Sequence, residues 1–441
     1  MLKSIKIKNI IKPFNKVIQV PGDKSISIRC VLLASQAIGK SKIYNLLESE
    51  DVINALKSVK RLGINYKKKD RFYEINGLGL NGYNFKGNIK INAGNSGTLA
   101  RLIIGLLINS NKKITIYGDN SLSKRDFSRI TEPLKLFGMN IHSNQNKLPL
   151  TVSGSEFIRP INYVEKLGSA QCKSAVMLAA IKSPGVTFIK AKKSRNHTEL
   201  LFKYLNIPIK INKTKKYDFI KLKGPSNFSS FKYKVPGDIS SAAFFIVLTL
   251  LSNKSKVLIK NININSSRIG IIKILKKMNA NIVFKNKRNY NGELIADILV
   301  KSTRNLKGVI SPKNLNSSAI DEFLVIFLVA AKAKGITKFS DLSELNKKES
   351  PRLNIAIKFL KSIGIKYLRE KNNLKIYGNP NLVLKGNYTI NNFNKDHRVF
   401  MMSCVAALTF GGSWIINDKE SIKTSFPNFL DKIKSLGGKI F

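Results

Sequence analysis

Gly22-Asp23-Lys24-Ser25-Ile26-Ser27-Ile28-Arg29 places a lysine, two hydroxyls and an arginine where an extended stretch gives way to a helix. Pro21 and Gly22 break the apolar segment before it, and Cys30 to Ile38 is rich enough in Val, Leu and Ala to continue as a buried helix. The first N–H groups of such a helix point at a negative ligand, and the dipole adds about 0.3–1 kcal/mol per charge. Lys24 supplies a point charge and Arg29, a turn further on, a flat fork suited to phosphate or carboxylate. On these eight residues alone, a capped helix with solvated cations fits as well as an anion site.

Five more polar turns open small-residue, apolar helices in the same way: Asn95-Ser96-Gly97-Thr98, Gly168-Ser169-Ala170-Gln171, Gly237-Asp238-Ile239-Ser240-Ser241, Ser318-Ala319-Ile320-Asp321 and Lys395-Asp396-His397-Arg398. Each is followed by an amphipathic helix with a Gly or Asn stop, the residues a left-handed C-cap favours. The stops are Gly63, Gly138, Asn206, Asn279, Gly364 and Gly437, separated by 75, 68, 73, 85 and 73 residues. The chain therefore reads as six diverged copies of a helix, strand, helix, strand unit. The period is too long for a solenoid and predicts six α/β subdomains. If the six first helices run side by side, their N-termini form a rim of donors suited to a small polyanion.

Composition bounds the class. A chain of 441 residues with 43% hydrophobic content can bury a sizeable core and suggests two or three domains. Met1 to Phe14 lacks a signal-peptide core, and the longest apolar runs, Ala242 to Leu251 and Phe323 to Ala331, are too short to span a bilayer. A cytoplasmic protein with no membrane partner is expected. Cys30, Cys172 and Cys404 lie in apolar helical runs without CxxC spacing, so small core residues are expected rather than a zinc site or disulfides.

Lys plus Arg number 77 against 26 Asp plus Glu, a formal charge of +51, which by itself recommends a nucleic-acid binder. The lysines are scattered through every helix and loop, with no basic tail and no aromatic-interleaved stripe. Over-use of Lys, Asn and Ile together points to genomic base composition, so no specific nucleic-acid partner is expected. Gly77-Leu78-Gly79-Leu80-Asn81-Gly82 matches GxGxxG, but Tyr83 to Lys90 has no helical periodicity, so the dinucleotide fingerprint lacks its helix. The three histidines show no metal-binding spacing, and neither a cofactor nor a metal is expected.

Taken in order, the motifs resemble those of 5-enolpyruvylshikimate 3-phosphate synthases, members of the enolpyruvyl transferase family. The resemblance rests on PGDKSISIR at Pro21 to Arg29, NAGNSGTLARL at Asn92 to Leu102, GDNSLSKR at Gly118 to Arg125, GSAQCKSA at Gly168 to Ala175 and SRNHTE at Ser194 to Glu199. GDISSAAFF at Gly237 to Phe245, DEF at Asp321 to Phe323, KESPRL at Lys348 to Leu353, DHR at Asp396 to Arg398 and SFPNF at Ser425 to Phe429 continue it. It implies an α/β fold of two globular domains, each built from three repeated subdomains: residues 21–236, and 1–20 with 237–441, the active site lying in the cleft between them. The implied reaction transfers the enolpyruvyl group of phosphoenolpyruvate to shikimate 3-phosphate, on the route to chorismate and the aromatic amino acids. The implied inhibitor is glyphosate, and a monomer is expected.

By the same resemblance, Lys24, Gly97, Arg125, Gln171, Arg352 and Arg398 would hold phosphoenolpyruvate. Lys24, Ser25, Arg29, Ser169, Gln171, Ser194, Asp321 and Lys348 would hold shikimate 3-phosphate, and Asp321, Glu349 and Lys24 would be catalytic. The cations have a plain reason: unit charges of one sign about 4 Å apart repel by roughly 4 kcal/mol at an effective dielectric near 20, and two phosphates and two carboxylates share the site. Some positions depart from the family pattern. Ile28 stands where Asn or His is usual, Asp126 where Pro follows the arginine, Asn346 in place of a frequent arginine, and Pro351 in place of Asp. Pro351 restricts Ser350 and is expected to reshape the loop carrying Lys348, Glu349 and Arg352. Thr424 occupies the place of a lysine used by some members, so no role passes to Lys423. The rival readings are the sister transferase acting on UDP-N-acetylglucosamine, a nucleic-acid binder, and an inactive scaffold. The sister enzyme typically uses a loop cysteine, and Gly118 to Arg129 has none.

Overall fold

All six expected helix stops take the left-handed backbone conformation, with φ of 92° at Gly63, 106° at Gly138, 56° at Asn206, 69° at Asn279, 69° at Gly364 and 95° at Gly437. The computed structural model describes residues 3–441. Six apolar helices precede those stops: Lys24–Gln36, Gly97–Gly105, Ala170–Ala180, Ile239–Leu251, Phe323–Lys332 and His397–Phe410. Side chains cap five of them. Asp23 accepts from the Ile26 N–H at 3.0 Å, Ser96 from Leu99 at 3.3 Å, Ser169 from Cys172 at 3.3 Å, Asp238 from Ser240 at 2.8 Å and Asp396 from Arg398 at 2.9 Å. The fifth helix in chain order differs from the sequence reading. Ser318 and Ala319 end a short helix, Asn316–Ala319, and the buried helix starts at Phe323 with Glu322 in the cap position and no side-chain cap bond. The Glu322 carboxylate instead accepts a hydrogen bond from the Ser240 hydroxyl.

Each of the first five repeats holds one more strand than the sequence suggested. In the second, Ile89–Asn92 runs parallel to Ile114–Tyr117, which pairs antiparallel with Leu150–Ser153, which in turn pairs antiparallel with Asn140–Ser143. The strand after each of the first five caps is thus a hairpin of two, and its turns are too short to stand out: Lys69 N–H closes on Phe72 O at 2.9 Å in the first repeat. Three other sheets have the same four-strand order. The fifth repeat keeps only isolated parallel bridges, Lys307 to Lys334 and Ile310 to Lys338, where the linking strand would be. In the sixth, Ile5–Ile7 from the start of the chain pairs antiparallel with Gly411–Ile416 and fills the hairpin's place.

The chain divides into two compact units. One comprises Gly22–Val235 with Tyr290–Glu293, and the other residues 3–21 with Pro236–Asn289 and Leu294–Phe441. Within the first, the helices Lys24–Gln36 and Ala170–Ala180 both pack on Gly97–Gly105. Within the second, Ile239–Leu251, Phe323–Lys332 and His397–Phe410 pack on one another. Each unit therefore has its own apolar core of buried helices screened by small sheets. Cys30, Cys172 and Cys404 lie in these cores, where burial pushes their thiols up and disfavours the reactive thiolate. Among the described residues, no helix is long and apolar enough to cross a membrane.

Gly77, from the GxGxxG stretch, is a packing residue. It ends a hairpin strand against the closing turn of the first buried helix, where a Cβ would stand 2.2 Å from both Ala34 O and Ala37 O. Gly224 and Gly378 repeat the contact, at 2.2 Å from Ala180 O and 2.1 Å from Ala333 O. Backbone on both sides leaves no room to yield. Gly77→Ala should therefore lower stability by about 1–3 kcal/mol through overpacking, read as a lower urea midpoint at unchanged slope; an unaltered midpoint would show that the strand end can move away.

Candidate active site

The repeats bring the first turns of their buried helices together at one end of each unit, so polar groups far apart in sequence meet there. In the Gly22–Val235 unit, Lys24 opens its helix and pairs with Asp51 at 2.9 Å, with 18% of its side chain exposed. Arg29 is buried. Its Nε donates to Thr198 Oγ1 at 2.8 Å, Nη1 to Ser25 O at 2.9 Å and Nη2 to Ser174 Oγ at 3.0 Å. Ser194 Oγ is buried with no hydrogen-bond partner among the described residues, and Ser169 caps its helix.

Gln171 joins two repeats: it accepts from Arg101 Nη1 at 2.8 Å and donates to Thr98 Oγ1 at 2.9 Å. Arg125 Nη2 donates to Asn95 Oδ1 at 3.1 Å, while its Nε is buried with no partner among the described residues. Gly97 sits between the two guanidinium groups. A Cβ there would lie 2.9 Å from Arg101 Nη1 and 3.1 Å from Arg125 Nη1. Two arginine forks around a glycine at a helix N-terminus concentrate positive charge and N–H donors at one place.

The other unit gathers carboxylates. Arg352, buried at the start of helix Arg352–Ser362, donates Nε to Asp396 Oδ2 at 2.8 Å, Nη1 to Asp321 Oδ1 at 3.2 Å and Nη2 to Glu349 Oε2 at 2.5 Å. Burial works against its charge, but Asp396, Glu349 and Asp321 outweigh burial and hold its pKa above the usual arginine value. Burial would likewise raise Asp396, yet Arg352 keeps that carboxyl below the ordinary aspartate value. Lys348 Nζ stands 3.5 Å from Asp321 Oδ1, and Arg398 Nη1 donates to Asp321 O at 3.0 Å. Asp321, Glu349, Lys348, Arg352 and Arg398 thus form one network.

Several members of these networks escaped sequence reading. Arg101 carried a usable signal, since it lies one helical turn after Gly97 on the same face. Thr198 and Ser174 lay inside the quoted motifs without being singled out, whereas Asp51 reaches its partner only through tertiary packing and no local pattern marks it. Among the described residues, no group of three or more His, Cys, Asp or Glu is arranged to hold a metal ion.

The departures from the family pattern acquire local reasons. Asp126 accepts from Ser128 N at 2.8 Å and Ser128 Oγ at 2.6 Å, fixing by hydrogen bonds the turn that a proline would stiffen. Ile28 is fully buried in its unit's core. Pro351 occupies the N-cap position and makes no side-chain cap bond. Asn346 takes over that task, its Oδ1 accepting from Leu353 N at 3.1 Å and Asn354 N at 3.4 Å. Ser350 Oγ, on the restricted loop, donates to Asp396 Oδ2 at 2.8 Å.

Six α/β repeats in two units, with phosphate-type cationic turns in one and a carboxylate-held arginine in the other, define an enolpyruvyl transferase fold. The sequence matches the model of EPSP synthase (3-phosphoshikimate 1-carboxyvinyltransferase) over residues 8–433, and the chain belongs to that family. It is 40% identical over 441 residues to the 3-phosphoshikimate 1-carboxyvinyltransferase of Ruthia magnifica subsp. Calyptogena magnifica, covering 98% of each chain. The structure is similar to that of EPSP synthase from Acinetobacter baumannii, with a TM-score of 0.88, 32% identity and 99% of each chain covered. It shares its fold with the enolpyruvyl transferase NikO from Streptomyces tendae, at a TM-score of 0.78 and 12% identity, covering 100% of this chain and 99% of that one.

The exchange of cap between Pro351 and Asn346 is open to a double-mutant cycle. Asn346→Ala should lower stability by about 1 kcal/mol, the usual worth of a cap. Pro351→Asp places an acceptor at the cap position itself, so Asn346→Ala should have a smaller effect in that background. Equal effects of Asn346→Ala in both backgrounds, read from denaturant midpoints, would refute the exchange.

Proposed function

We infer that this chain transfers the enolpyruvyl group of phosphoenolpyruvate to the 5-hydroxyl of shikimate 3-phosphate and releases phosphate. Family membership along nearly the whole chain carries the reading, and the geometry of both networks supports it. The hydroxyl oxygen attacks the enol carbon while the methylene carbon takes a proton, giving a tetrahedral ketal. Loss of a proton from the new methyl group, with cleavage of the carbon–oxygen bond to phosphate, leaves the enolpyruvyl ether.

In this reading Arg125 and the Gly97 turn receive phosphoenolpyruvate, with Lys24 and Gln171 alongside. Arg125 Nε offers a donor that an anion would satisfy, and a buried donor without an acceptor is costly, at about 1–3 kcal/mol. Ser25, Arg29, Ser169, Gln171 and Ser194 serve shikimate 3-phosphate, and the unpartnered Ser194 hydroxyl suits a phosphate oxygen. Asp321 is the base toward the hydroxyl and is held in place by Arg352 and Lys348. Glu349, partly exposed beside Arg352, exchanges the proton with the methylene carbon, with Lys24 assisting at the phosphate side. Arg352 and Arg398 complete the phosphoenolpyruvate contacts. For Arg352 this requires exchange of one carboxylate partner for the ligand's.

Phosphate release by the purified protein tests the reaction. It should require shikimate 3-phosphate and phosphoenolpyruvate together, and release with UDP-N-acetylglucosamine instead would assign the sister reaction. Glu349→Gln keeps the hydrogen bond to Arg352 but cannot exchange the proton. It should lower kcat by about a hundredfold or more with little change in KM, and near-normal kcat would move the proton-transfer role to Lys24.

Gly97→Ala tests the pocket between the arginines. The new methyl forces both guanidinium tips aside, which should weaken glyphosate, the longer anion, more than phosphoenolpyruvate. Equal weakening of inhibition constant and substrate KM would remove the steric explanation.

A further inference from the structure

The sheet made of Asn162–Glu165, Gly185–Lys192, Tyr217–Gly224 and Ile209–Lys213 buries one face and leaves the other open. Strand register builds on the open face a pattern that no single segment of sequence displays. Phe188 lies opposite Lys221, Lys190 opposite Phe219, and Lys192 opposite Tyr217. Lys210 continues the first row beside Lys221, and Asn212 the second beside Phe219. Across these two strands each ring therefore faces a lysine, Phe188 with Lys221, Phe219 with Lys190 and Tyr217 with Lys192.

The rings are accessible: Phe188 is 48% and Phe219 41% exposed. Lysine side chains lie against them, with Lys190 Nζ 5.0 Å from the Tyr217 centroid and 5.7 Å from that of Phe219, and Lys221 Nζ 5.4 Å from that of Phe188. The two acids of these strands, Glu165 and Asp218, are buried on the opposite side, 2% and 7% exposed. Lysine-rich composition alone does not produce such a face. In the first repeat's sheet Glu74 sits between Lys42 and Lys67, and in the fifth Lys375 pairs with Glu370 at 3.1 Å. The second repeat's sheet places Thr115, Thr151 and His142 in one row.

We propose that this face binds single-stranded nucleic acid without sequence preference, bases stacking on Phe188, Phe219 and Tyr217 while Lys190, Lys210 and Lys221 meet the phosphates. Every base offers a π-face to an exposed ring, and the lysines track the backbone, which is how sequence-tolerant strand binding works. A duplex keeps its bases stacked inside and offers these rings nothing. An anionic membrane would engage the charge but offers no bases for the rings to stack on. The chemistry is common to RNA and DNA, because nothing on the face is arranged to read a 2′-hydroxyl.

Fluorescence anisotropy with labelled oligouridylate, oligothymidylate and a duplex of equal length tests the proposal, using the full chain at several salt concentrations. Both single strands should bind alike and more tightly than the duplex, with log affinity falling by about 0.7 per phosphate neutralised for each unit of log salt. Phe188→Ala with Phe219→Ala leaves charge unchanged and should weaken single-strand binding at least about tenfold at an unchanged salt slope. Lys190→Gln with Lys221→Gln should instead flatten the slope by about 1.4. Both pairs are exposed, and unaltered urea midpoints confirm that folding is intact. Affinity indifferent to loss of the two rings, or a duplex bound as tightly, overturns the proposal in favour of the general positive field. So does binding to phosphatidylserine vesicles that depends on the two phenylalanines while oligonucleotide binding does not.

Discussion

A helix buried along its whole length can offer solvent only its ends, and six such helices organise this molecule. The N–H groups of their first turns must find acceptors. In five of the six a short side chain of the chain itself supplies one, from Asp23, Ser96, Ser169, Asp238 or Asp396. Each cap serves one of these donors, and net positive charge toward an anion comes from side chains on or next to the same turns. Lys24, Gly97 and Arg398 lie within the first turns and Arg29 one turn further on, so the constraint that builds the core also sets the position of the chemistry.

The two units meet that requirement in opposite ways. Arg125 has a neutral amide partner in Asn95 and a buried Nε without any acceptor among the described residues. Arg352 instead has every guanidinium nitrogen committed to a carboxylate. A buried ion pair contributes little net stability over an apolar replacement, yet losing one member is costly, at about 3–5 kcal/mol. Arg352 thus reaches a ligand anion only by exchanging a carboxylate partner, and it fixes Asp321, Glu349 and Asp396 relative to one another. In the proposed reaction two of those carboxylates handle protons, and proton transfer depends on their position to a fraction of a hydrogen-bond length.

What was legible in the sequence follows from how local each signal is. The left-handed caps could be read at Gly63 and Asn206 because few residues tolerate that backbone, so the residue type itself reports the conformation. The hairpins could not, because a turn such as Lys69 to Phe72 differs little from the lysine-rich strands around it. Of the site, Lys24, Gly97 and Arg352 stood in motifs, whereas Asp51 became visible only when two helices packed. Asn346 was visible only as a departure. Its function as a cap depends on where a loop folds back, which residue spacing does not encode.

Lysine is so common on this chain that its presence at an exposed position carries little information. Meaning then resides in what stands beside it. Lys42 also lies over the Phe72 ring, but at Lys42 and Lys375 an acid stands on the same sheet face and the local field is moderated. On the third repeat's sheet the neighbours are rings, and the acids of the same strands are turned inward. Random enrichment of lysine would leave the neighbours of each lysine unchanged; it gives no reason for Phe188 and Phe219 to remain exposed where a polar residue would be cheaper to solvate. Exposed aromatics in a row with cations are therefore the part of this surface that base composition does not explain, and register, not sequence order, is what makes them one surface.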